Sequence, residues 1–413
     1  MSTGLDFALP KAWSWAPLKF TTTFLNRGSA PEYVDEGPIR AVSQAANQLS
    51  GLDWTRTRFG AYDGDPRRQK GYLLHGDVLI NSTGNGTLGR VGYFTEGPDE
   101  IPCVADSHVT VARADRQIAD PRFMYYWLGS VPFYDYIYSV LVVGATNQIE
   151  LNREGLAGAP IALPPLEEQR RIADFLDAET ARIDRVIALR TAQLARLGER
   201  EGSWRSQLFR RSNSGKWARV KHLLRSKPRY GVLVPEFVED GIPFIRVNDL
   251  SGLTSIDALS MIPRQLSEQY SRTVTEPGDV LLTVVGATIG KVALISADLA
   301  GANTARAIAV LRPKLKHSPS LLASWIGTAE FMEQARLATG SDTAQPTLGM
   351  EDLANFAIRW PTDDAEQRQM TEAAKEHHLD TVTVRAAFNG QIDLLAERRR
   401  ALITAAVTGG ITV

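Results

Sequence analysis

The chain carries the same sequence signature twice. Trp15-Ala16-Pro17-Leu18-Lys19 returns as Trp217-Ala218-Arg219-Val220-Lys221, and Gly76-Asp77-Val78-Leu79-Ile80 returns as Gly278-Asp279-Val280-Leu281-Leu282, both at an offset of 202 residues. Glu168-Gln169-Arg170 returns as Glu366-Gln367-Arg368, and Glu199-Arg200 as Glu397-Arg398, both at an offset of 198. A stable offset over separate anchors implies two copies of one unit, folded alike and related by an approximate two-fold. Two similar but unequal heads suit a target that itself has two unequal parts.

At 413 residues the chain exceeds what one core supports and suits two domains, each burying its own apolar surface. A formal net charge of −1 argues against a protein that coats nucleic acid indiscriminately. Residues 1–160 hold 14 Lys/Arg against 17 Asp/Glu, and residues 213–360 hold 16 against 14, so neither half is a basic domain. Any anionic partner must then be held by local clusters or by a further subunit. The one cysteine, Cys103, excludes an intrachain disulfide and fits a reducing cytoplasm. Met1–Asp6 lacks the basic and apolar regions of a signal peptide, and no apolar run approaches the roughly 18 residues that span a bilayer. The expectation is a soluble, cytoplasmic protein with no membrane partner.

Each half opens with short β-branched runs bounded by turns. Strands are expected at 77–80, 90–94 and 108–111, and again at 279–285, 291–295 and 307–311. An aromatic helical stretch follows in each copy, from Pro121 to Leu128 and from Pro319 to Phe331. The expected fold class is α+β: two similar recognition domains, 1–160 and 213–360, separated by two long antiparallel spacer helices, 161–212 and 361–413, with pseudo-two-fold symmetry.

The helices are read from their stripes. Pro164-Pro165 before Glu167-Glu168 places proline and acid where a helix start favours them. From there Ile172, Leu176, Ile183, Ile187, Leu194, Leu197, Trp204 and Leu208 recur at heptad-compatible spacing. The second stripe runs through Met370, Ala374, Thr381, Val384, Phe388, Ile392, Leu395, Leu402 and Ala406. Mutual pairing into a two-helix spacer buries both stripes more economically than separate docking. From Ile172 to Leu208 such a helix spans roughly 54 Å. Ile172, Leu176, Ile183, Ile187, Leu194, Leu197, Phe388, Ile392, Leu395 and Leu402 are the expected packing residues.

Gly84-Asn85-Gly86-Thr87-Leu88-Gly89 is a literal dinucleotide-type glycine pattern. A nucleotide-binding turn needs a helix immediately afterwards, whereas Arg90-Val91-Gly92-Tyr93-Phe94 reads as a strand, and the second copy, Gly286-Ala287-Thr288-Ile289-Gly290, breaks the pattern. A tight hairpin is the reading here. No phosphate-binding loop, methyltransferase motif or Cys/His zinc cluster is present, and the adjacent His377-His378 point about 100° apart on a helix, so they read as exposed helix residues. No catalytic residue and no metal ligand is assigned. Polar readout chemistry does occur at the turns: Arg56, Arg58, Arg67, Arg68 and Lys70, with Asn85 and Arg90, in the first copy, and Lys227, Arg229, Tyr230, Arg246, Asn248 and Lys291 in the second. Arginine and lysine reach phosphates or guanine edges and asparagine reads adenine, so these residues are the candidate contacts to double-stranded DNA.

Leu163-Pro164-Pro165-Leu166-Glu167-Glu168-Gln169-Arg170-Arg171-Ile172-Ala173 closely resembles the opening of the spacer helix in specificity subunits of type I restriction–modification systems. Ile183-Asp184-Arg185-Val186-Ile187 fits its continuation, and Leu394 to Ile411 resembles the end of the second spacer. The resemblance covers the chain in the right order. It implies two target recognition domains, each reading one half of a bipartite, asymmetric DNA site, with the spacer acting as a ruler for the unread gap. It also implies docking of two methyltransferase subunits and of restriction/translocase subunits. Catalysis would be theirs, with S-adenosylmethionine, ATP and Mg²⁺ bound by them and no cofactor bound by this chain. The second spacer departs from the pattern, opening with Trp360-Pro361-Thr362-Asp363-Asp364 and interrupting its early stripe with His377, His378 and Thr381. The alternatives are a self-contained DNA methyltransferase or nuclease, and a repeat-domain scaffold that binds proteins.

Overall fold

The computed structural model describes the chain except residues 1–4, 6, 49–50, 85, 144–148, 251, 254, 315–317 and 341–345. It divides into two compact units: unit 1 is Met1–Leu189 with Gln391–Val413, and unit 2 is Arg190–Gly390. The division cuts both long helices, so each unit is a globular part plus a stretch of each helix.

In unit 1 the strands Thr22–Arg27, Val109–Ala114, Val78–Asn81 and Val91–Tyr93 lie side by side in that order, all antiparallel. A second sheet orders Cys103–Ala105, Ile39–Val42, Arg58–Ala61 and Glu32–Val34, with the first pair parallel. Unit 2 repeats the pattern with Arg229–Tyr230, Ile308–Leu311, Val280–Thr283 and Val292–Leu294, beside a smaller sheet of Met261–Ile262, Ile242–Ile245 and Asn303–Thr304. The registers match. Thr110 lies opposite Ile80 and Arg27, as Ala309 lies opposite Leu282 and Tyr230. The central strands are buried along their whole length, which is why they read as unbroken apolar runs rather than alternating ones.

The expected helix at Pro121–Leu128 forms with those limits, capped by the Asp120 carboxylate accepting from the Arg122 and Phe123 amides. Its Phe123, Met124 and Trp127 fill the unit 1 core. The single stretch expected from Pro319 to Phe331 is two helices, Pro319–Ile326 and Ala329–Thr339, because the chain leaves the helix at Gly327 and the Thr328 hydroxyl caps the next one through the Phe331 amide. The glycine-rich turn joins Val78–Asn81 to Val91–Tyr93 as a hairpin, as expected.

Leu166–Arg210 and Asp364–Val407 are unbroken helices of 45 and 44 residues. Within unit 1 they run antiparallel: Asp184 pairs with Arg399 at 3.0 Å, while Ile172 and Leu176 share a core with Ile403, Ala406 and Val407. Ile183 is buried there; Ile187, Ile392, Leu395 and Leu402 are half-buried. Within unit 2 the same antiparallel order holds, with Arg190 over the Phe388 ring at 5.1 Å and Trp204 against the His377 ring at 3.9 Å. Leu194, Leu197 and Phe388 are half-buried.

Two expectations about the second stripe are corrected. His377 is not an exposed helix residue: it is half-buried on Trp204, with its Nδ1 3.1 Å from the Thr381 hydroxyl, and Thr381 is itself buried. Val384 is 40% exposed, and its neighbour Arg385 takes the facing position, 3.5 Å from the Glu201 carboxylate. Polar residues therefore form part of the helix contact in unit 2. Among the described residues, no helix is long and apolar enough to cross a membrane.

Candidate nucleic-acid interface

The ladder Arg229–Tyr230 against Ile308–Leu311 sets one wall of an open cleft of about 890 Å³ in unit 2. Arg229 and Tyr230 come from this edge strand, and Arg306 from the turn that precedes Ile308. Gln269, Tyr270 and Arg272 come from the end of the helix Arg264–Gln269 and the tight turn Ser271–Thr273. Gly231, just past this edge strand, lets the chain pass close to the strand Asn303–Thr304: a Cβ there would sit 2.0 Å from the Thr304 carbonyl oxygen.

Arg272 and Arg306 are exposed and Arg229 is half-buried. Among the described residues, none of the three has a carboxylate within ion-pair distance. Three guanidinium groups without counter-ions around one concavity make a positive field that a near-neutral net charge conceals. Burial raises the Tyr230 phenol above its ordinary pKa, with the Arg306 charge acting in the opposite direction, and its hydroxyl donates to the Leu348 carbonyl at 2.9 Å. That bond fixes the ring at the cleft wall. Fixed guanidinium, amide and aromatic groups are the set that binds phosphates and the edges or faces of bases.

The sequence pointed to Arg229 and Tyr230, with exposed Lys227 just before them, and missed Gln269, Tyr270, Arg272 and Arg306. A signal existed. The 202-residue offset carries Arg67, Arg68 and Lys70 onto Gln269, Tyr270 and Arg272. In unit 1 those three basic residues are exposed at the tight turn Pro66–Arg68, which the Asp65 carboxylate caps by accepting from the Arg67 amide at 3.0 Å. The strand position of Tyr230 is held there by Arg27, and Glu150 pairs with it. The corresponding surfaces of the two units thus differ in chemistry.

The remaining candidates lie elsewhere. Arg56 is exposed and held by Asp53 at 3.0 Å, and Arg246 is held by Asp249 through its Nε at 3.0 Å, so each already has a counter-ion. Arg58 lies over the Tyr33 ring at 3.5 Å, and Tyr33 donates to Asp106 at 3.3 Å; burial raises the Asp106 carboxyl above the usual carboxylate range. Arg90 braces its hairpin, donating to Gln48 Oε1 and to the Gly86 carbonyl, each at 3.1 Å. Asn248 and Lys291 are exposed on their loops, and Asn85 lies outside the described residues.

Gln169, from the first copy of the Glu-Gln-Arg signature, is fully buried where the first long helix meets the unit 1 globular part. It accepts from the Asp120 amide at 2.8 Å and donates to the carbonyls of Ile118 and Pro164. Glu168 beside it accepts from the Trp13 indole at 3.1 Å. The equivalent Glu366 in unit 2 accepts from the Asn213 and Ser214 amides at 2.6 and 2.9 Å. The signature locks each long helix onto its own globular part.

Residues 40–196 match the family model of the type I restriction modification DNA specificity domain. The specificity subunit of the type I restriction enzyme EcoBI from Escherichia coli is 24% identical over 290 residues, 63% of this chain and 60% of the relative, so the match spans about three fifths of that protein's length. A chain solved in work on complex assembly and conformational transition of the type I R-M system aligns over 98% of this chain and all of its own length, at 20% identity and a TM-score of 0.69, which shows the fold. The HsdS subunit from Thermoanaerobacter tengcongensis aligns over the full length of both chains at 20% identity and a TM-score of 0.47. The duplicated Gly-Asp and Glu-Gln-Arg signatures and the paired long helices accompany a partial match, over residues 40–196, to the type I restriction modification DNA specificity domain, and the chain is similar to specificity subunits of such systems.

Proposed function

We propose that this chain is the non-catalytic specificity subunit of a type I restriction–modification assembly and that it reads a bipartite, asymmetric DNA site. The observation that carries the reading is the unit 2 cleft, with three uncompensated arginines, two tyrosines and a glutamine set on a rigid ladder, at the place where unit 1 presents Arg67, Arg68 and Lys70. Arginines of this kind hold phosphates and fix register, while guanidinium and amide groups in the groove distinguish base edges. Each unit contributes one half-site. Two modest affinities on one protein add only when both half-sites sit at the correct distance. The different side chains at matching places account for an asymmetric target.

In this reading the methyltransferase and restriction/translocase subunits dock on the chain and supply the chemistry. S-adenosylmethionine, ATP and Mg²⁺ are bound by those subunits, and this chain's residues position the DNA. The test is binding of the assembled complex to a duplex carrying its site and to a scrambled duplex of the same composition. Preference for the first by at least about a thousandfold is expected of specific recognition. Equal binding to both would identify a scaffold rather than a reader.

A further inference from the structure

The two units differ where their sequences match. In unit 1 the residues ahead of the strand Ser14–Pro17 fold back onto the core: Leu5, Phe7 and Leu9 pack against it, and the Phe7 ring meets Trp15 at 5.4 Å and Trp127 at 6.4 Å. In unit 2 the matching strand Gly215–Arg219 is entered directly from the long helix that ends at Arg210, so no residues remain to make that return. The partner of Trp127, Trp325, is buried at 2% exposure, but the partner of Trp15, Trp217, is 76% exposed. Beside it runs an apolar groove of about 630 Å³, walled by Phe209, Trp217, Trp325, Ala329 and Ala357.

We infer that this groove is the docking site for an apolar segment of a partner protein that sets an aromatic ring against Trp217. The chemistry of the occupant is taken from unit 1, where the Phe7 ring meets the equivalent tryptophans and Leu5 and Leu9 pack against the same core. The charges at the rim agree with it. Arg210 and Glu330 bind each other at 2.6 Å, and Glu333 is held by Arg336 at 2.8 Å, so the groove residues Arg210, Glu330 and Glu333 are already paired, while Arg359 at the wall donates to the Ser212 carbonyl at 3.1 Å; the floor between them is apolar. An exposed tryptophan over an apolar concavity has the form of an interface anchor. The occupant is a different protein because this chain's own Leu5, Phe7 and Leu9 are already engaged in unit 1. The inference does not depend on DNA reading.

The experiment uses the full chain and, as probe, a fluorescently labelled peptide of residues 1–12. Saturable binding with one site is expected, weakened at least about tenfold by Trp217→Ser and retained by Trp217→Phe. Because Trp217 is mostly exposed, neither change unfolds the chain, which circular dichroism checks. No binding at millimolar peptide, or binding unmoved by Trp217→Ser because the peptide displaces the unit 1 segment instead, would overturn the inference. Sedimentation of the wild type as a dimer that Trp217→Ser dissociates would overturn it as well, since the occupant would then be a second copy.

Discussion

Arg113 grips the fully buried Asp77 through two hydrogen bonds of 2.8 Å, from Nε and Nη2, and the same Nη2 also donates to the Tyr72 carbonyl. In unit 2 Arg312 holds Asp279 through Nε alone, at 3.2 Å to each oxygen, and its Nη2 donates to the Val274 carbonyl. The second Asp77 oxygen also accepts the Leu74 amide, as Asp279 accepts the Glu276 amide, both at 2.8 Å. Gly76 and Gly278, at φ +95° and +85°, make the turn that aims the carboxylate inward. This is the physical content of the repeated Gly-Asp signature: a buried charge fully matched by donors, at the start of the central strand. Arg113→Met leaves Asp77 buried without a counter-ion and with only the Leu74 amide as donor, and a loss of about 3 kcal/mol in the unit 1 transition is expected in urea unfolding. Arg312→Met is expected to move the unit 2 transition instead.

The Glu366 junction makes stability depend on pH. Burial raises this carboxyl, but hydrogen bonds from Ser214 and Asn213 more than offset that, and its pKa lies below the ordinary glutamate value. A carboxylate depressed in the folded state contributes stability that is present above its unfolded pKa, about 4.3, and is lost as pH falls through the folded value. Glu366→Gln is therefore expected to lower the unit 2 melting temperature at pH 7, with the difference from wild type shrinking as pH falls below the ordinary glutamate value, as calorimetry over a series of acidic pH values would read.

Cys103 reports on the unit 1 interior. Its thiol is buried, and that burial pushes its pKa up to about 11. At pH 8 only about one thiol in a thousand is then ionised, and the thiolate is the reactive form. Labelling by a disulfide reagent at pH 8 is expected to be slow for the folded chain and complete within minutes in denaturant. Fast labelling of the folded chain would contradict the placement.

The cleft arginines and the paired arginines make opposite predictions. Arg272→Ala and Arg306→Ala each remove an uncompensated charge, and each lost phosphate contact is expected to lower the salt dependence of DNA binding by the assembled complex by about 0.9 in log–log slope. Arg246→Ala removes a charge already bound to Asp249, and the slope is expected to stay unchanged. Titrations at a series of salt concentrations separate the two groups.

Much of the fold was legible because it is written locally. The duplicated anchors, the Asp120-Pro121 helix start, the glycine-rich hairpin and the two long helical stripes all carry period or cap signals. What was not legible depends on partners distant in sequence. The heptad rule placed Val384 inward, but Glu201 draws Arg385 to that face, and Trp204 gives His377 a covered place that no local pattern announces. The cleft is the same case: Arg229, Arg272 and Arg306 meet only because the ladder and the tight turn fold onto one another. The offset between copies was the one sequence signal that led from Lys70 to Arg272.

The central claim is that two unequal reading units on one chain define a bipartite target. Mapping every methylated adenine in DNA exposed to the chain with its methyltransferase subunit tests it most directly. The account predicts one motif of two unlike half-sites at a fixed gap, and relaxed sequence in one half alone when Arg272 and Arg306 are both replaced by alanine. Methylation at a single continuous motif, or relaxation of both halves together, would contradict it.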